Sequence, residues 1–152
     1  MNYLLRRRPV AAAPASRRFL ILAALACVCG CSRGNPYDLV EVSGAVTYED
    51  GSLIPAETIM LKFQPLAAPR DAKTHPRKAY GRVNVADGTI GPMTTHKYGD
   101  GVVAGRHKVL IIPTTSNGEI TQLVPDAYRN PATTPVEIDT SEQPLEIRVK
   151  KP

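Results

Sequence analysis

The 152-residue chain has no tryptophan, two phenylalanines and three cysteines, and aromatic residues make up only 5% of it. The cysteines all fall in "ACVCGCS", at Cys27, Cys29 and Cys31. Three thiolates in a C-x-C-x-C run, with no histidine nearby, do not supply the four spaced ligands of a structural zinc site. A thioredoxin-like redox centre needs C-x-x-C beside a βαβ unit, which is absent. Also missing is any apolar run of the roughly 20 residues a spanning helix requires. The longest, "FLILAALACV" at 19–28, is about half that length. No ten-residue stretch shows helical periodicity, which excludes long amphipathic helices.

The short apolar run has a meaning of its own. It follows Arg6, Arg7, Arg8, Arg17 and Arg18 with no intervening acid. A basic segment, an apolar segment and then small residues form the order of a secretory signal. The small residues end in "VCGC", which resembles a bacterial lipobox: aliphatic, small, Gly or Ala, then Cys. Cys27 is preceded by "ALA" and Cys29 by "ACV", so only Cys31 has the right residues in front of it. The expectation is cleavage after Gly30. Cys31 would then be the lipid-carrying N-terminus of an exported, membrane-anchored chain facing the periplasm or the cell surface. Residues 1–30 are the lipoprotein signal peptide, 31–37 the lipidated cysteine and its tether, and 38–152 one folded domain. "SRRFLI" also resembles a twin-arginine export motif, and an ordinary basic leader is the preferred reading.

The cut changes the charge. The chain carries 19 basic and 14 acidic residues, and five of the basic ones precede residue 19, leaving 14 against 14. The basic pI therefore belongs to the targeting segment and gives no reason to expect a nucleic-acid partner.

Beyond the tether, alternation dominates. In "VEVSGAVTY" Val40, Val42, Val46 and Tyr48 share one face. In "TIMLKFQ" Ile59, Leu61 and Phe63 do, and in "LEIRVK" Leu145, Ile147 and Val149. Side chains alternate faces along a strand, so each is expected to be a half-buried strand. "KAYGRVNV", "HKVLIIP" and "PVEI" are further candidates, and "HKVLIIP", apolar on both faces, is expected to be central. Asp50-Gly51, Asp87-Gly88 and Asp100-Gly101 are tight-turn signals. Each offers one carboxylate, far short of the six to eight oxygens of a calcium site. The pattern predicts an all-β, single antiparallel sandwich. Without a disulfide, it relies on burying about fifteen aliphatic side chains at about 1.5–3 kcal/mol each.

"VSGAVTYEDGSLIPAETIMLKFQP" resembles the opening of carboxypeptidase regulatory-like, or transthyretin-like, domains, with V-x-G-x-V, a D-G turn and a strand ending in aromatic-x-P. Val42, Gly44, Val46, Asp50, Gly51, Phe63 and Pro65 match, as do Asp87 and Gly88 in "ADGTI" and Gly105 and Val109 in "AGRHKVLI". "SLIP" inverts the usual order of Pro and Leu, and His107 stands where an aromatic is common. The ending resembles that of a bacterial lipoprotein subgroup, through Pro125, Tyr128, Asn130, Pro131, Thr134 and Pro135. The resemblance implies a seven-stranded prealbumin-like sandwich that acts as a non-catalytic module.

Enzymatic readings find little support in the residues. Hydroxyisourate hydrolases share the fold but end in Y-R-G-S, whereas this chain has "YRNP" in mid-chain. An intradiol dioxygenase needs an H-x-H pair for its iron, and His75, His96 and His107 are scattered. No G-x-S-x-G of a serine hydrolase is present. No catalytic residue, cofactor or metal is therefore assigned. Two long loops remain as candidate binding elements, Pro65 to Ala79 and Met93 to Gly105. The first carries Arg70, Lys73, Arg77 and Lys78 against Asp71. The expected role is a binding or structural module of the cell envelope, with the membrane as partner through the lipid and an envelope protein or polysaccharide as a further partner. The alternative is a carbohydrate- or polymer-binding accessory module, with a small transthyretin-like hydrolase as a third reading. "VPDAYRNPATTP", with four prolines, is expected to be an extended structural crossing in which Tyr128 covers the edge of the sandwich.

Overall fold

Alternation becomes burial along β3 (Thr58–Pro65), where Ile59, Leu61 and Phe63 are buried while Met60 is exposed. The computed structural model describes residues 35–152, which form one compact unit. Cys31 and the leader lie outside them. The other strands are β1 (Leu39–Val40), β2 (Gly44–Tyr48), β4 (Ala79–Val83), β5 (Val102–Val103), β6 (Arg106–Thr114), β7 (Glu137–Asp139) and β8 (Leu145–Val149). The only helical element among the described residues is a single 3-10 turn, Asp126–Arg129. None of these elements is a helix long and apolar enough to cross a membrane.

A four-stranded sheet in the order β4-β3-β6-β7 forms the larger layer, and β6 is central as its two-sided apolar sequence predicts. Val109 and Ile111 face inward with no exposure, while Leu110, on the opposite face, is also buried. β2 pairs with β8 and β1 with β5. Val46 and Tyr48 of β2, Leu145, Ile147 and Val149 of β8, and the inner faces of β3, β4 and β6 share one apolar cluster. The described residues are thus all-β, and the β2–β8 pair and the four-stranded sheet share one core.

Three expectations need correction. Among the described residues there are eight strands rather than seven, and one pairing is parallel: β2 runs alongside β8, from Gly44↔Leu145 to Tyr48↔Val149. The remaining pairs are antiparallel. The long strand expected from Val40 to Tyr48 also breaks at residues 41–43, because its two halves have different partners. The Gln143 side chain fills the break. Its Nε2 donates to the Glu41 carbonyl at 2.8 Å and its Oε1 accepts the Ser43 N–H at 2.9 Å.

Two of the Asp-Gly turns and the Asp139-Thr140 turn share a second device. The Asp50 carboxylate accepts the N–H and hydroxyl of Ser52, Asp87 those of Thr89, and Asp139 those of Ser141. Such side-chain turns satisfy backbone donors that no strand reaches. Asp50 sits well below the ordinary carboxylate range, held there first by the Lys151 ammonium and then by Ser52.

The proline-rich crossing is not extended throughout. Pro125 presets the backbone at φ −55°, and the Tyr128 N–H closes onto its carbonyl, which starts the 3-10 turn. Asn130, ahead of Pro131, returns to extended backbone at φ −120°. Tyr128 is buried, and its hydroxyl accepts the Lys150 N–H at 3.1 Å, just past the end of β8. Pro131 is exposed.

Candidate functional site

β4 forms one edge of the larger sheet, and the chain from Ile90 to Thr94 runs back along it. Tyr80 and Thr94 exchange backbone hydrogen bonds of 2.9 and 2.8 Å, and the Gly91 N–H donates to the Arg82 carbonyl at 2.8 Å. Close approach is possible because a β-carbon on Gly91 would lie 2.9 Å from that carbonyl oxygen. Tyr80 and Arg82 occupy the outward positions of β4, between Ala79 and Val83, which turn into the core.

The next loop reaches over this edge. Tyr98 at its tip is 87% exposed, the most exposed of the large apolar side chains among the described residues, and Tyr80 is 46% exposed. Both line an open groove of about 450 Å³ with Met60, Arg82, Pro92 and Thr94. Across the ridge made by Pro92 and Tyr98 lies a second groove of about 440 Å³, lined by Glu41, Val42, Ile90 and Gly99. Lys62 extends from β3 over the Tyr80 ring, its ammonium 5.4 Å from the centroid. That places a cation at an aromatic face, an attractive arrangement.

The loop that presents Tyr98 is braced. Asp100 accepts the backbone N–H groups of Thr95, His96 and Lys97 at 2.7, 2.9 and 2.9 Å. Thr94 Oγ1 accepts the Gly99 N–H, and the Thr95 hydroxyl donates to the Gly101 carbonyl at 2.7 Å. Partial burial pushes the Asp100 carboxyl up, but the backbone donors outweigh it and hold the group below its ordinary value. An aromatic ring on a fixed loop loses little conformational freedom when it binds, which favours recognition. The expected long loop Met93 to Gly105 is therefore partly strand: Val102 and Val103 are buried and pair with β1.

The first candidate loop, Pro65 to Ala79, is ordered around Tyr37. The Tyr37 hydroxyl donates to the Thr74 carbonyl at 2.9 Å and accepts the Arg70 N–H at 3.1 Å. Arg70, Lys73, Arg77 and Lys78 are all exposed.

The histidines do not gather. His75 and His96 are exposed, whereas His107 is fully buried against Phe63, with ring centroids 5.8 Å apart. His107 Nδ1 lies 3.0 Å from the Gly105 carbonyl, so that nitrogen carries the proton, and Nε2 is buried without a partner. Desolvation pushes the His107 pKa down, against the opposing pull of the Gly105 carbonyl and the Asp139 charge. Among the described residues no three His, Cys, Asp or Glu side chains lie close enough together to hold a metal ion. Tyr128 lines a third groove, of about 550 Å³, between β7 and β8, but with its hydroxyl bonded to the backbone. Of the motif residues, Gly44, Asp50, Gly51, Asp87 and Gly88 shape turns and strand contacts and line neither tyrosine groove.

Tyr80 and Tyr98 were not singled out by sequence. The available signal was an aromatic in a Gly- and Asp-rich segment with no strand alternation around it, "HKYGDG". Comparison with protein-family models, curated proteins and solved structures finds no match for the chain.

Proposed function

We propose that this protein is a lipid-anchored cell-envelope protein whose β-domain, a sandwich of the prealbumin-like kind, is a non-catalytic module that binds an envelope polymer, a glycan in the first instance. The lipid anchor rests on the signal-like leader and the lipobox ending at Cys31. The binding role rests on one observation: a ring as exposed as Tyr98, on a loop that Asp100 holds in place, beside a second exposed tyrosine. Aromatic rings set along an open groove suit the flat apolar faces of sugar rings, while Arg82, Lys62 and Thr94 offer polar contacts around them. The grooves present one carboxylate, Glu41, and not the carboxylate pair that cleaves glycosidic bonds.

The test is retention of the mature protein by immobilised or gel-embedded polysaccharides. Tyr98→Ala should reduce binding by about 2 kcal/mol, as loss of a hot-spot tyrosine does, with the melting curve unchanged. If no polysaccharide retains the native protein, or if Tyr98→Ala is retained equally, the domain is a structural module and the groove is not its site. For the anchor, mass spectrometry should find an acylated N-terminal peptide starting at Cys31. Cys31→Ser should abolish that modification, and Cys27→Ser should leave it intact.

A further inference from the structure

The loop from Pro65 to Ala79 has a feature that a solvated connection does not need. Four exposed cations, Arg70, Lys73, Arg77 and Lys78, sit on it, and none has an ion-pair partner among the described residues. Its one acid is already engaged: the Asp71 carboxylate accepts the N–H groups of Lys73 and Thr74 at 2.7 and 2.8 Å. Leu66, 44% exposed, adds an apolar side chain at the start of the loop. The surface is therefore cationic, with an exposed apolar residue beside it.

Tyr37 determines where this surface lies along the chain. Its hydroxyl bonds the loop backbone at Thr74 and Arg70, and the Arg70 guanidinium stands 5.9 Å from its ring centroid. Tyr37 is also the sixth residue after Cys31. A fully extended chain spans at most ~3.6 Å per residue, so six residues can separate Tyr37 from Cys31 by no more than roughly 22 Å. The residue that organises the cationic loop is thus the one where the tether meets the domain.

We propose that this loop is a membrane-docking surface for anionic phospholipid headgroups, held at the anchored end of the domain by the Tyr37 clasp. The inference rests on Cys31 carrying the lipid. Lysines and arginines near an anionic leaflet are attracted by its surface potential, which decays over about a Debye length, ~8 Å at physiological salt. The acyl chains hold the protein to the bilayer and the loop sets which side of the domain faces it.

The experiment reconstitutes the full mature protein in vesicles of phosphatidylglycerol mixed equally with phosphatidylcholine, and in vesicles of phosphatidylcholine alone. Trypsin then reads exposure at Arg70, Lys73, Arg77 and Lys78, with Lys97 on the Tyr98 loop as internal reference. In the anionic vesicles, cleavage in the loop should slow by at least about fivefold relative to Lys97, the factor that ~1 kcal/mol from one surface cation gives. High salt should restore it. Arg77→Gln with Lys78→Gln should weaken the protection at Arg70 and Lys73. Equal relative cleavage in the two vesicle types, with a lipidated Cys31, overturns the docking surface and leaves the anchor standing. An unmodified Cys31 and a protein that stays out of both vesicles overturn the anchor and the docking surface together.

Discussion

A β-carbon on Gly44 would lie 2.1 Å from the carbonyl oxygen of Leu145. The contact is backbone to backbone, so neither partner can move aside by changing a rotamer. Gly44 also has φ +148°, which L side chains rarely adopt. Gly44→Ala is therefore expected to lower stability by about 3 kcal/mol or more, combining overpacking with strain. Gly51, at φ +81° with nothing near its missing side chain, separates the two effects. Gly51→Ala should cost only about 1–2 kcal/mol, the backbone penalty alone. Denaturant midpoints of the two variants provide the comparison.

Tyr128 combines a buried ring with one defined hydrogen bond to the Lys150 N–H. Tyr128→Phe should cost about 1 kcal/mol through that bond, and Tyr128→Ala about 3–5 kcal/mol through the lost ring. Arg129, beside it, is paired with Asp126 and also donates to the Thr121 carbonyl at 3.3 Å. Arg129→Ala should cost only about 1–2 kcal/mol: the ion pair adds little because Asp126 is largely exposed, and the rest is the packing and the Thr121 bond of the mostly buried arginine. If Arg129→Ala instead abolished ligand binding at unchanged stability, the site would move from the tyrosine groove to this turn.

His107 should make stability depend on pH in a window of its own. Its pKa in the folded protein lies below the ordinary 6.5, so at intermediate pH the unfolded chain binds a proton that the folded one does not. Its contribution is fully present above pH 6.5 and is lost as pH falls toward the folded value. The slope cannot exceed about 1.4 kcal/mol per pH unit. The shifted carboxylates, Asp50, Glu57, Asp71, Asp87, Asp100 and Asp139, are all lowered and act only at more acid pH. Urea titrations just below pH 6.5 should therefore show a decline that His107→Leu removes. An unchanged slope in that variant would assign the decline to other groups.

Asp100 braces Tyr98 without lining either groove. Asp100→Ala removes the acceptor of three backbone N–H groups. Amide exchange at Thr95, His96 and Lys97 should accelerate, and polysaccharide retention should fall although every groove side chain is still present. Retention equal to that of the native protein, with exchange accelerated, would mean that the fixed loop does not matter for binding.

Much of the fold was legible because parity is local. Ile59, Leu61 and Phe63, and again Leu145, Ile147 and Val149, announce their faces with no knowledge of any partner, and all six are buried. What could not be read were relations between distant segments. Nothing near Gly44 says that Leu145 will lie against it, or that the two strands run the same way. Val40 and Val46 look like one strand because their break depends on Val102 and on Gln143. The tyrosine groove was hidden for the same reason: Tyr80 sits in a strand pattern and Tyr98 in a turn, and only the return of Ile90 to Thr94 along β4 brings them to one surface. Tyr37 ends the tether in sequence, and only the fold brings Thr74 and Arg70 around its hydroxyl.

The parallel pairing of β2 with β8 bears on the timing of folding. Ser43 and Gln143, which bond across it, are 100 positions apart. β2 cannot find its neighbour until the ribosome has reached Leu145, and β8 brings Leu145, Ile147 and Val149 to the core only then. Contacts of such long range slow folding, because a large loop must close before they form. On the export proposed above, that delay would keep the chain pliable during transit and leave assembly of the native state to the far side.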